Sequence, residues 1–167
     1  MQTTEKDIWH LLEQVKDPEI PVLSIIDLGI VRAVKIEQES VNAEVEVIIT
    51  PTYSGCPAMH TIEQEIKSVL LQNGFKNGLV SVALSPAWTT EWMSVSGKEK
   101  LKAFGIAPPN PVQSVCNPDF FAAAENVQCP HCNSFHTQLI SRFGATACKA
   151  LYKCVDCLEP FDYFKCH

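Results

Sequence analysis

Positive charge is scarce in this 167-residue chain. Thirteen lysines and arginines face nineteen aspartates and glutamates, for a formal net charge of −6 and a pI near 5.3. That balance excludes non-specific attraction to nucleic acid or to an anionic membrane. No apolar run approaches the roughly 20 residues of a membrane span. The first residues, MQTTEKDIWH, lack a basic stretch followed by an apolar core, so no secretory signal is expected and a cytoplasmic location is. No G-x-G-x-x-G fingerprint for a flavin or nicotinamide dinucleotide occurs, nor an internal repeat or low-complexity tract. Cysteine is almost missing from the first two thirds: Cys56 stands alone, and the other seven lie at position 116 or beyond. In a reducing compartment eight cysteines point to metal or thiolate chemistry before disulfides.

What is present suffices for one ordinary core and a small extra module, with 46% of residues hydrophobic. Ile8, Leu11, Leu12 and Val15 recur at helical spacing behind a Thr4/Asp7 capping box, and Pro18 and Pro21 prevent continuation. Residues 29–36 read as a strand. Val41, Ala43, Val45, Val47 and Ile49 alternate with polar residues, as on a strand with one buried face. Residues 57–71 predict a second helix with Met59, Ile62, Ile66, Val69 and Leu70 as its apolar stripe and Gly74 at its C-cap. Another strand is expected over 79–84, with Val80, Val82 and Leu84 on one face. Ser96 and Glu99 predict a capping box for a short helix ending at Gly105. The order α-β-β-α-β-α implies a small α+β sandwich, helices covering one face of a mixed sheet. We expect this domain over 1–107, a proline-containing linker over 108–125 and a cysteine-rich module over 126–167; the IAPPNP stretch (106–111), read as stiff and extended, spans the first boundary. The FFAAAE stretch in the linker is compatible with a helical turn.

The C-terminal module carries the strongest signal. Cys129-Pro-His-Cys132 and Cys154-Val-Asp-Cys157 are two C-x-x-C pairs separated by 21 residues. Each can wrap a tight turn so that both sulfurs face one ion, and a hairpin brings the turns together as a tetrahedral four-thiolate site. So short a module cannot bury enough apolar surface to fold unaided, and a bound metal supplies the deficit. The expected occupant is a structural Zn²⁺. Iron or an iron–sulfur centre is the alternative, because sulfur ligation alone does not select the metal. His131 reads as a surface residue, Cys148 as a small buried one, and Cys166 with His167 as a fraying tail; Cys116 has no assignment. Arg142, Lys149, Lys153 and Lys165 nearly balance Asp156, Glu159 and Asp162, which does not make a phosphate-binding face. Phe161, Tyr163 and Phe164 are expected to pack the ribbon's core or a partner.

Cys56 precedes Pro57, which suits the first position of a helix. It thus faces the positive end of a helix dipole, an environment that favours thiolate over thiol. His60 and Glu63 project toward the same side. A nucleophile, a single metal ligand held transiently or shared across a homodimer, and a capping thiol without chemistry all fit this position.

Residues upstream and downstream carry a resemblance. DPEIPVLSIIDLGIV (17–31) resembles the D-P-E-x-P…D-L-G signature of the cytosolic iron–sulfur assembly domain family, to which SufT-like proteins belong. Thr52-Tyr-Ser-Gly-Cys56-Pro57 is similar to its T-x-x-x-C-P motif, and SPAWTTEWMS (85–94) to its tryptophan-containing stretch. The combination of this domain with a ribbon containing FGATACKALYKC and CLEPFDYFKCH resembles the accessory proteins encoded with the phenylacetyl-CoA epoxidase components, over essentially the whole chain. The resemblance implies that Cys56 is the functional cysteine, with Asp27 and Thr52 beside it. Asp17, Glu19, His60, Glu63 and Trp88 are candidates for its support. It implies a non-enzymatic maturation factor of aerobic phenylacetate degradation that helps insert or repair the [2Fe-2S] cluster of the epoxidase reductase, with transient iron or a [2Fe-2S] unit at Cys56. Epoxidase subunits and general iron–sulfur assembly proteins are the implied partners. The alternative is a structural or electron-transfer subunit with iron at the ribbon cysteines. Plainer roles stand beside these: turn chemistry for Asp17-Pro18 and Asp27, and core anchoring for Trp88 and Trp92.

Overall fold

The computed structural model describes residues 4–37, 44–109 and 127–165, which form two compact units meeting in sequence at Trp88 and Thr89.

The first unit begins with helix α1 (Glu5–Leu12), closed by the expected capping box: Asp7 Oδ2 accepts from the Thr4 backbone N–H and hydroxyl, both at 2.8 Å. Ile8 and Leu12 are buried from its apolar face. Strand β1 (Val31–Glu37) runs antiparallel to β2 (Glu44–Ile49), and β2 runs parallel to β3 (Asn77–Val82), in the sheet order β1-β2-β3. The sheet is therefore mixed, and a parallel pair requires a crossover. Helix α2 (Ala58–Gln72) supplies it. Its buried residues are Ala58, Ile62, Ile66 and Leu70, a strict i, i+4 row. Met59 and Val69, expected on the same stripe, are only half-buried at its margin. Val45, Val47 and Ile49 fill the covered face of β2; each such aliphatic side chain contributes about 1.5–3 kcal/mol relative to exposure. On the other face Glu46 accepts from Lys35 Nζ at 2.8 Å and Ser81 Oγ at 2.6 Å, tying all three strands together.

Two sequence expectations change here. The apolar alternation over 79–84 does not end in a buried row: Val82 and Leu84 are exposed, because β3 is an edge strand and the chain leaves it after Val82. The next helix, α3 (Val95–Ala103), is capped not by Ser96 but by Ser94, whose hydroxyl accepts from Gly97 N–H at 2.8 Å. Ser94 has the extended backbone an N-cap requires, and Ser96 already lies inside the helix.

The second unit holds α3 and a four-stranded sheet. Its strands are β4 (Ile106–Ala107), β5 (Thr137–Ser141), β6 (Lys149–Cys154) and β7 (Pro160–Phe164), in the order β4-β7-β6-β5. Composition assigned Ile106 and Ala107 to the N-terminal domain; in the structure they pair in parallel with Asp162 and Tyr163 of β7. A two-residue strand has no periodicity to read. Ala107, Val127, Ala150, Tyr152, Phe161 and Tyr163 pack with Cys129 and Cys154 as the core. Tyr152 stacks on Phe161, with ring centroids 5.9 Å apart, and meets Tyr163 edge-on at 5.7 Å. Cys116, the FFAAAE stretch, Cys166 and His167 lie outside the described residues. No helix among the described residues is long and apolar enough to cross a membrane.

The seating of α2 on β3 is close. A Cβ on Gly78 would lie 2.8 Å from Leu70 Cδ1 and 3.3 Å from Leu70 Cβ. Gly78→Ala is therefore expected to lower unfolding stability by about 1–3 kcal/mol. The check is the urea midpoint; an unchanged midpoint would contradict this packing.

Candidate functional site

Two groups of residues carry chemistry, one in each unit.

In the first unit the loop from β2 to α2 presents Cys56. Gly55 has φ +84, a left-handed conformation natural to glycine, which turns the chain from the strand into the helix. Pro57 is the N-cap of α2 and Ala58 its first residue, one position later than expected. Cys56 is half-buried. The backbone N–H of Ala58 and the hydroxyl of Tyr53 both donate toward its sulfur, and Glu19 and Asp17 act on it as nearby negative charges.

The expectation of a thiolate is corrected here. Burial pushes the Cys56 thiol above the ordinary cysteine value, and the two carboxylates add to the rise. The helix-end N–H and Tyr53 pull the other way and do not win. Spacing alone revealed the helix mouth but neither the desolvation nor the acids delivered from a different loop. Tyr53, a direct partner of the sulfur, was also missed, although it lies inside the motif that drew attention to Cys56.

Turn geometry fixes the acids. Asp17 Oδ1 accepts from the N–H groups of Glu19 at 2.8 Å and Ile20 at 2.7 Å, while Asp17 N–H reaches Leu23 O at 2.9 Å. The D-P-E sequence is thus a closed turn that holds Glu19 in place. Asp27 is buried; its Oδ2 accepts from Ser24 N–H at 3.1 Å and Ser24 Oγ at 3.0 Å, and its own N–H donates back to Ser24 Oγ. Trp88 Nε1 donates to Leu28 O at 2.9 Å and pins the same loop. Thr52 is half-buried between β2 and α2. His60 is exposed, and Glu63 is engaged by Lys67 at 2.6 Å. Asp17 and Glu19 thus act on Cys56, Asp27 and Trp88 lock the adjoining loop, and Glu63 has its cation on its own helix.

In the second unit Cys129, Cys132, Cys154 and Cys157 converge, with all four sulfurs within 4.8 Å of one another. Cys129 and Cys157 are 3.8 Å apart and Cys132 and Cys154 3.5 Å. A tetrahedron with metal–sulfur bonds of about 2.3 Å has edges of about 3.8 Å, so the donor set fits a four-coordinate, thiophilic ion. The knuckles are closed by Cys129 N–H to Ser134 O at 2.8 Å and Cys154 N–H to Glu159 O at 2.9 Å. Asp156 joins them by accepting from Ser134 Oγ and lying 3.2 Å from His136 Nδ1. The Cys157 N–H, then that of Asp156, bring the Cys154 thiol down to about 7. At Cys157 the Glu159 N–H acts likewise, but desolvation and the adjacent sulfurs outweigh it and push that thiol up to about 12. Four such groups ionise together only around a cation. His131 is exposed, and Cys148 is buried 3.1 Å from Thr146 Oγ1.

Each knuckle ends in a left-handed residue directly after its second cysteine: Asn133 at φ +62 and Leu158 at φ +65. Asparagine adopts this conformation readily, whereas in an ordinary L residue it costs about 1–2 kcal/mol.

This arrangement is that of an iron–sulfur assembly-type α+β domain joined to a four-cysteine ribbon. The family model of the iron–sulfur cluster assembly proteins matches residues 5–82, and that of the PaaD zinc beta ribbon domain matches 115–165. A protein of Escherichia coli K12, provisionally named as one of the subunits of 1,2-phenylacetyl-CoA epoxidase, is 50% identical over 96% of this chain and 92% of its own. The chain belongs to that family of epoxidase subunits, the PaaD family. An Fe-S protein maturation auxiliary factor of Porphyromonas gingivalis is 34% identical over 54% of this chain and 84% of its own. Among solved structures, a domain of unknown function (DUF59) from Bacillus anthracis superposes with a TM-score of 0.53 at 31% identity, covering 58% of this chain and 90% of its own. A conserved hypothetical protein of Thermotoga maritima does so at 0.50 and 29%, covering 60% and 95%.

The electrostatics at Cys56 have a testable sign. Glu19→Gln removes a negative neighbour and is expected to lower the Cys56 thiol pKa, so that peptide-resolved alkylation at pH 8 speeds up. Tyr53→Phe removes a donor to the sulfur and is expected to slow it. Equal rates in all three proteins would contradict this environment.

Proposed function

We propose that this protein is an accessory maturation factor for the multicomponent phenylacetyl-CoA epoxidase, and that it helps insert or repair the [2Fe-2S] cluster of the reductase component. The observation that carries this reading is the surroundings of Cys56. A half-buried thiol with two donors at its sulfur and two acids close by stays protonated when alone. An arriving cation, iron or an edge of a nascent cluster, offsets the acids and takes the thiolate. The proton leaves to solvent or to the Asp17 and Glu19 carboxylates. One cysteine ligand makes a weak and reversible hold, which delivery requires. The names borne by the E. coli and P. gingivalis relatives support the same role. Asp27 and Thr52 then shape the loops around Cys56 rather than reacting themselves. Epoxidase components and general iron–sulfur assembly proteins are the partners, and the chain turns over no small molecule.

The ribbon cysteines are assigned to a structural Zn²⁺: the set is closed, with four protein ligands and no open position. Metal analysis is expected to give one zinc per chain in a colourless protein, and chelation to melt the β5–β7 sheet while the first unit stays folded. A coloured, iron-loaded ribbon would favour the electron-transfer reading instead.

The functional test is the iron content and absorption spectrum of the epoxidase reductase purified from cells that carry the native protein, Cys56→Ala, or none. The Cys56→Ala strain is expected to match the strain with none, its reductase losing most of its cluster. Full clusters with Cys56→Ala would end the reading.

A further inference from the structure

We propose that β5 is the edge on which two copies of this chain pair, strand against antiparallel strand, about a two-fold axis through Leu139. β5 closes one side of the ribbon sheet, and no strand among the described residues lies beyond it. The Val155 N–H donates to His136 O at 2.8 Å. Successive residues of a strand turn their N–H and C=O to alternate sides, so His136 and Gln138 face β6 and Leu139 turns its own N–H and C=O to the open side. The register against β6 shifts only after Leu139, so the backbone at the axis is regular. Leu139 stands opposite Tyr152, on the face that carries the aromatic core, and is 37% exposed because that core stops at the sheet edge. Ile140 and Phe143 are more exposed still, at 54% and 59%. Sheet edges are ordinarily blunted by proline, lysine or inward-pointing acids, and residues 135–143 contain none of these. By contrast β1, an edge of the other sheet, carries Arg32, Lys35 and Glu37.

Self-complementarity selects the occupant. A two-fold contact requires a surface that fits itself. Residues 135–143, Phe-His-Thr-Gln-Leu-Ile-Ser-Arg-Phe, read nearly alike in both directions. With the axis on Leu139, this leucine meets its own counterpart, Thr137 meets Ser141, and Gln138 meets Ile140. Just beyond the strand ends Phe135 meets Phe143. The two Leu139 residues exchange N–H···O bonds, with Cα atoms about 5.5 Å apart, and a second leucine extends the apolar face beside Tyr152. Charge agrees with this register. Arg142 comes opposite His136, which lies 3.2 Å from Asp156 Oδ1, so the arginine approaches a carboxylate. The edge strand β3, Asn-Gly-Leu-Val-Ser-Val, has no such symmetry. Five paired residues make a small contact, so the dimer is reversible and depends on concentration.

The test is sedimentation of the full-length, zinc-loaded chain at concentrations up to millimolar. The native protein is expected to be a dimer at the upper end and to dissociate on dilution. Leu139→Lys and Leu139→Glu each set like charges against one another on the axis, and each alone should weaken dimerisation at least tenfold. An equimolar mixture of the two should recover it as a mixed dimer, which a merely damaged ribbon would not do. Leu84→Lys, at an exposed site after β3, should change nothing. Independently, Leu139→Cys treated with oxidised glutathione should link two chains through position 139, seen as one joined peptide. The proposal is overturned if the native chain stays monomeric throughout, or if both charged variants dimerise as the native chain does. It is equally overturned if the mixture of folded variants stays monomeric, or if no link forms at position 139. Should both charged variants shed their zinc, the link decides alone. Reductase cluster content is read separately, so the pairing can fail while the maturation role stands.

Discussion

Sulfur can carry negative charge away from water only where positive charge answers it, and both candidate functional regions of this protein are built around that constraint. In the ribbon four sulfurs crowd within 4.8 Å; the Cys157 N–H brings the Cys154 thiol down to about 7, while at Cys157 the Glu159 N–H is outweighed by desolvation and the adjacent sulfurs, which push the thiol up to about 12. At Cys56 desolvation raises the thiol as well, and there the neighbours on the same side of the balance are the carboxylates Glu19 and Asp17. The ribbon meets the demand with a closed ligand set and so becomes permanent. Cys56 meets it with one ligand, which under the proposed function makes the site a stopping place. Under that function the two sites divide the labour of metal chemistry by ligand count.

Packing makes the difference durable. Cys56 is placed by a glycine turn and by α2, whose i, i+4 row is seated on the sheet. The acids that act on it come from a turn closed by Asp17's own carboxylate, and the next loop is locked by Ser24, Asp27 and Trp88. These residues hold backbone, and by doing so set the field at the sulfur. In the ribbon, Tyr152, Phe161 and Tyr163 supply a small aromatic core, and the metal site finishes what that core cannot do by itself.

Much of this was legible in sequence because the signals are periodic or paired. Helical spacing located α1 and α2, alternation located β2, and the two C-x-x-C pairs located the four-sulfur cluster. Features decided by tertiary context were not legible. Ser96 and Glu99 match a capping box, yet Ser94 caps α3 because the backbone turns there. Ile106 and Ala107 stand at the expected end of the N-terminal domain, where a proline-rich stretch begins, yet they pair with β7. The helix-end position of Cys56 suggested a thiolate, but a dipole acts locally and was outweighed by burial and by carboxylates almost forty residues away in the chain. Leu158 reads as an ordinary leucine until its φ is known.

The most direct test of the central claim is a pH titration of the Cys56 thiol, followed by peptide-resolved alkylation of the zinc-loaded protein with and without ferrous iron under anaerobic conditions. The account predicts a midpoint above the ordinary cysteine value in the absence of iron and a marked fall when iron is added. A thiol already ionised at neutral pH without iron, or one whose midpoint ignores iron, would contradict it.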